Sequence, residues 1–229
     1  MTQSLNGIIN LNKPAGMSSA RAVTAIKRRL PRGIKIGHAG TLDPFATGVL
    51  LLLIGKATRQ CERLMDQSKQ YEATVVLGAT TATDDPESTV NATPGAQPVA
   101  REDLEAALKG FVGSILQRPP AFSALKVEGR RAYDLARRGR EVVLEPRPIV
   151  VYGIELLEYQ WPRVKLRIDC GRGTYIRAIA RDLGEKLGVG GYLGALVRTR
   201  IGEFRLSESV TLDDLSRGAV DSYLVPPDK

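Results

Sequence analysis

Every second residue of "KQYEATVVL", residues 69–77, is apolar from Tyr71 onward, the period-two pattern of a half-buried strand. The uninterrupted run "VLLLLI", residues 49–54, predicts another strand, and "GIINL", residues 7–11, a short one. After a Lys13-Pro14-Ala15-Gly16 turn, Ser18 or Ser19 caps a helix reaching about residue 30. A glycine-rich loop fills residues 37–48, helices follow over 56–65 and 101–108, and the polar stretch 78–97 reads as a loop. Two β-like runs, 149–159 and 164–170, precede "GTYIRAIARDLGEKLG", an amphipathic helix ended by Gly188. "LVRTRIGEFRL" then returns to the sheet. This mixture predicts one α+β domain over residues 1–229, built around a large sheet, with residues 118–147 as an insertion.

Composition changes the picture in one respect. The 33 basic residues outnumber the 25 acidic ones, a formal charge of +8, which favours a polyanionic partner. The insertion concentrates that charge. It holds Arg118, Lys126, Arg130, Arg131, Arg137, Arg138, Arg140 and Arg147 against four carboxylates. Gly129 and Gly139 flank it as hinges, and Pro119-Pro120 marks its entrance. A basic thumb of this kind grips a phosphate backbone, with Arg130, Arg131, Arg137 and Arg138 the leading candidates. The competing reading is a solvated helix face with i,i+4 charge pairs. Two distant cysteines and one histidine leave little for a metal site, and no secretory or membrane-spanning segment is visible. The expectation is a cytoplasmic monomer with no metal, no cofactor and no membrane contact.

The single histidine stands in "KIGHAGTLDPFATGVLLLLIG", five residues before Asp43. Pro44 pushes Asp43 toward extended backbone, and the apolar run behind anchors the loop, as scaffolds do for catalytic groups. On local evidence alone, Asp-Pro reads more readily as a plain turn starter. No G-x-S-x-G elbow supports a hydrolytic triad with His38, and the motifs of zinc deaminases and P-loops are missing. Asp169-x-Gly171-x-Gly173 before a helix is similar to the opening of a methyl-donor-binding Rossmann unit, which keeps a methyltransferase as the alternative enzyme. A non-catalytic RNA chaperone is the alternative binding protein.

Six segments in order, "GIINLNKPAGMSS", "IGHAGTLDPFATGVLLLLIGKAT", "KQYEATVVLG", "QRPPAFSALKVEGRRAYDLAR", "CGRGTYIRAIARDLGEKLG" and "LVRTRIGEF", resemble the bacterial tRNA pseudouridine-55 synthases of the TruB type. The resemblance implies a pseudouridine synthase fold and a uridine in the T-loop of tRNA as substrate. It implies Asp43 as catalytic aspartate, His38 as a group stacking in the T-loop, and Tyr71 against the uracil. Tyr175 and Leu196 become pocket walls, Arg177 a partner of the aspartate, and Lys13 with Pro14 a motif that shapes the site. Two departures stand out. Leu196-Val197-Arg198-Thr199 replaces the family's L-R-R-T, and the residues after Gly218 are too few for the small C-terminal RNA-binding domain of many relatives.

Overall fold

The structure, a computed structural model, describes residues 5–226 except 124–125, 128–129 and 132–143. The fold is α+β, with a large, mostly antiparallel sheet of nine strands among the described residues. Contacts divide the chain into two compact units, Met1–Tyr71 with Leu196–Lys229, and Glu72–Ala195.

The first unit begins with β1 (Gly7–Lys13), α1 (Ser19–Lys27), β2 (Ile36–Ala39), β3 (Thr47–Ile54) and α2 (Cys61–Asp66), and β4 (Lys69–Leu77) starts in it. The second holds β5 (Ala79–Thr81), β6 (Val90–Ala92), α3 (Arg101–Lys109), β7 (Gly113–Gln117), β8 (Lys126–Val127) and β9 (Arg130–Arg131). It continues through β10 (Arg147–Gln160), β11 (Arg163–Cys170), α4 (Ile176–Lys186) and the first half of β12 (Gly191–Ile201). The chain then returns to the first unit for the rest of β12, β13 (Phe204–Arg205) and α5 (Leu212–Arg217).

Strand β3 organises the first unit. β1 pairs with it antiparallel along its whole length, from Gly7 opposite Ile54 to Lys13 opposite Gly48. Its other edge is shared. β2 runs antiparallel to residues 51–54, and β12 runs parallel to it, with Val197 opposite Thr47 and Arg198 opposite Gly48. Successive side chains point to opposite faces of a strand. Accordingly Leu50, Leu52 and Ile54 join a core with Ile9, Leu11, Ala22, Ile26 and Leu215, while Val49, Leu51 and Leu53 join another with Ile8, Leu64, Ile201 and Phe204. That double burial is why the run carries no polar position. In the second unit β10 pairs antiparallel with both β7 and β11. α4 buries Ile176, Arg177, Ala178, Ile179, Ala180, Leu183 and Gly184.

Several local expectations shift. The helix after Ser18, whose hydroxyl accepts from Arg21 N at 3.2 Å, ends at Lys27 rather than near residue 30. The glycine-rich loop shortens to residues 40–46, because 36–39 pair with β3. The helix expected over 56–65 divides into a 3-10 turn, Gly55–Gln60, and α2. The loop 78–97 contains the short hairpin partners β5 and β6. Of the thumb arginines, Arg137 and Arg138 lie outside the described residues, and only the backbone of Arg130 and Arg131 is described, in β9. No helix among the described residues is long and apolar enough to cross a membrane.

Candidate active site

Asp43 sits half-buried in the loop between β2 and β3, and both of its neighbours are pinned. Leu42 donates its N–H to Ser19 Oγ at 2.9 Å, and the same hydroxyl donates to Leu42 O at 3.1 Å. On the other side Pro44 O accepts from Gly16 N at 2.9 Å and from Lys13 Nζ at 3.3 Å. Lys13 is fully buried, and its ammonium also donates to Pro14 O at 2.8 Å and Met17 O at 2.7 Å. Burying a cation is costly unless strong acceptors replace its water, and three carbonyl oxygens do so here. Lys13 thereby ties the turn after β1 to the aspartate loop, which gives the lysine-proline motif its physical role; Pro14 itself is exposed on that turn.

Arg198 holds the neck of the same loop. Its side chain is fully buried, with Nε donating to Val49 O at 2.7 Å, one terminal nitrogen to Gly40 O at 3.1 Å and the other to Thr41 O at 3.4 Å. Gly48 permits this arrangement. Its φ is +103°, and a Cβ there would stand 2.3 Å from Arg198 O, closer than any atoms pack.

His38 is on β2, with Nδ1 buried and no hydrogen-bond partner among the described residues. Burial first, and then the positive Arg198, hold its imidazole below the ordinary 6.5 against the opposing pull of a backbone hydrogen bond with Gly40, so it is neutral near pH 7. A neutral ring suits a stacking group better than a cation does a buried pocket. Tyr71 and Leu196 are buried on β4 and β12, each within the first unit. The structure therefore brings Asp43, His38, Lys13 and Pro14 onto one connected frame of β1, β2, β3 and the loop between the last two.

Tyr175 and Arg177 belong to the second unit. Tyr175 precedes α4, and the buried Gln117 clamps its backbone, donating to Tyr175 O at 3.1 Å and accepting from Tyr175 N at 2.9 Å. Arg177 is buried on the first turn of α4. It donates to Thr83 O at 3.0 Å, Asp85 Oδ2 at 3.1 Å and Phe122 O at 3.0 Å. Asp85, itself 1% exposed, also accepts from Glu87 N at 3.0 Å. Sequence reading missed Asp85, Gln117 and Ser19. A Thr-Asp-Asp-Pro turn looks like any polar loop in sequence, and its order comes from contacts such as Glu87 N donating to Asp85 Oδ1 in an Asx turn.

The methyl-donor reading fails on topology. A Rossmann unit opens with a strand that returns parallel to itself through a crossover helix. β11, which carries Asp169, is antiparallel to β10, and β12, the strand that follows α4, is not its neighbour in the sheet.

Comparison with known proteins agrees with this fold. Residues 27–176 match the TruB family pseudouridylate synthase (N terminal domain), and residues 177–224 match the tRNA pseudouridylate synthase B C-terminal domain. The tRNA pseudouridine synthase B of Bacteroides fragilis is 48% identical over 206 residues, covering 88% of each chain. That of Phocaeicola vulgatus is 45% identical over 211 residues, 90% of each. A solved Cbf5 in a Cbf5-Nop10-Gar1 complex superposes over 92% of this chain with a TM-score of 0.72 at 34% identity. The match spans about half of that longer protein, 54%. The chain belongs to the TruB family of pseudouridylate synthases.

Proposed function

We propose that the chain converts one uridine in the T-loop of tRNA to pseudouridine, in the cytoplasm, with Asp43 as the catalytic carboxylate. The observation that supports the assignment is the bracing of the loop: residues 42 and 44 are both fixed, so the backbone that carries the Asp43 carboxylate is held in place. The reaction breaks N1–C1′, turns the freed uracil, and joins C5 to C1′. N1 gains a proton and C5 loses one, so the balance needs no oxidant, reductant or external energy.

The target base must first leave its stack, at a cost of about a few kcal/mol. Stacking on Tyr71 offsets roughly 1–3 kcal/mol of that. Leu196 supplies an apolar wall, and the neutral His38 stacks in the T-loop and props the displaced bases. Tyr175 and Arg177 are assigned to substrate binding as well, with Arg177 a partner for the ionised Asp43. Arginine suits that role because it stays charged when buried. Asp43 acts as an anion, at C1′, at C6 of the ring or on the C2′ proton.

A T-arm stem-loop tritiated at uracil C5 tests the reading. Release of tritium from a single loop uridine is expected without added metal or cofactor, and Asp43→Asn abolishes it while RNA binding persists. Unimpaired release by Asp43→Asn would remove Asp43 from the chemistry. Binding without release by the unaltered protein would make the chain an RNA chaperone.

A further inference from the structure

We infer that Arg198 is a positioning residue for the reaction, a buried guanidinium that fixes the aspartate loop at its neck. The inference rests on the assignment of Asp43 above and extends it to a residue whose side chain bonds the loop's backbone carbonyls.

Three observations carry it. First, the partners of Arg198 are chosen by position along the loop. Gly40 and Thr41 precede Asp43, Val49 follows it, and one planar group accepts the geometry of all three carbonyls. The loop is thus closed by a single rigid fork between its two ends. Second, the described partners of Arg198 are backbone carbonyls and include no carboxylate. A guanidinium buried to 2% exposure normally sits against an acid, and structural ion pairing therefore does not account for the charge. Third, the charge is felt at the neighbouring functional group, since Arg198 adds to burial in keeping His38 neutral. From α2, Cys61 donates its thiol to His38 O at 3.6 Å.

Gly48 supports the same reading from the opposite strand. With β12 and β3 in parallel register, any side chain at 48 would displace the Arg198 backbone and swing the fork away from Gly40 and Thr41. Two residues distant in sequence are therefore matched to bring one guanidinium under one loop.

Geometry and charge separate in two variants. Arg198→Lys keeps the charge but offers a point donor in place of a fork, so it cannot span the neck. A misplacement of about 1 Å costs about 100-fold in rate, and a loss of that size is expected in single-turnover tritium release, with RNA affinity within about twofold of the unaltered enzyme. Arg198→Met removes the charge. The chain has one histidine, so its imidazole Hε1 proton gives one unambiguous NMR titration. That titration is expected to move toward the ordinary value in Arg198→Met and to stay low in Arg198→Lys. Full single-turnover rate in Arg198→Lys would overturn the positioning role, as would a rate loss matched by lost RNA binding. An unmoved His38 titration in folded Arg198→Met would overturn the electrostatic part. If Arg198→Met does not fold, Arg198→Lys alone decides. Failure of the unaltered enzyme to release tritium would instead overturn the assignment of Asp43, while the His38 titration would still report on Arg198.

Discussion

Asp84 and Asp85 are chain neighbours in one turn, yet each meets a different arginine one helical turn apart on α4. Asp85 takes Arg177, and Asp84 takes Arg181 at 3.1 Å. The two arginines also reach the segment after β7, Arg181 through Arg118 O at 2.8 Å and Arg177 through Phe122 O. Burial outweighs the nearby positive charges at Asp84 and pushes its carboxyl up to about 6 from 3.8. Between those values the native state holds a proton that the unfolded chain has lost. Stability therefore falls as pH rises through that window, and Asp84 costs stability once ionised. Asp84→Asn cannot ionise. Relative to the unaltered protein it should gain about 2–3 kcal/mol between pH 4 and pH 7, read from urea unfolding at each pH. A difference between the two proteins that does not change with pH would show that Asp84 is already charged when the unfolded chain's aspartates are.

At the scale of elements, α4 shows how a helix is set by what it must approach. Its sequence is a good amphipathic pattern, but Gly184 lies in its interior and is buried, where alanine would raise helix propensity by about 1 kcal/mol. A Cβ at 184 would stand 2.1 Å from Gly191 N and 2.2 Å from Gly190 C. Those atoms are backbone and cannot step aside. Overpacking of this kind costs about 1–3 kcal/mol or more, so the clash wins and Gly184→Ala should lower the thermal midpoint despite the gain in propensity. A raised midpoint would mean that the start of β12 yields freely. The same contrast explains what could be read in the sequence. β4, α3 and α4 declare themselves because their burial follows a single period, as in the strict alternation from Lys69 to Leu77. β2 was hidden because its four residues lie in a glycine-rich stretch, and only pairing with β3 makes them a strand. Asp43 and His38 stood out through the resemblance their motif carries, whereas Ser19, Gln117 and Asp85 act through contacts 23, 58 and 92 residues away in sequence. No local pattern marks such partners.

For the whole molecule the question is where the excess of eight positive charges acts. Part of it is buried inside the protein, at Lys13, Lys69, Arg177 and Arg198. The thumb arginines are the largest remaining concentration in the sequence, and their proposed role is to neutralise phosphates of the T-arm. That role makes a quantitative claim. Each phosphate contact releases counterions, so log affinity falls linearly with log salt, by about 0.7–0.9 per contact. Arg130→Ala with Arg131→Ala should weaken binding to T-arm stem-loops of differing sequence alike, because backbone contacts carry no sequence information. The salt slope between about 50 and 200 mM should become shallower by about 1–2. Tritium release at saturating RNA should keep its rate, since neither residue is assigned to the chemistry. Fluorescence anisotropy across that salt range reads both quantities. An unchanged slope would return these arginines to the solvated charged surface that the same sequence equally describes, and would leave the grip on RNA to the rest of the basic surface.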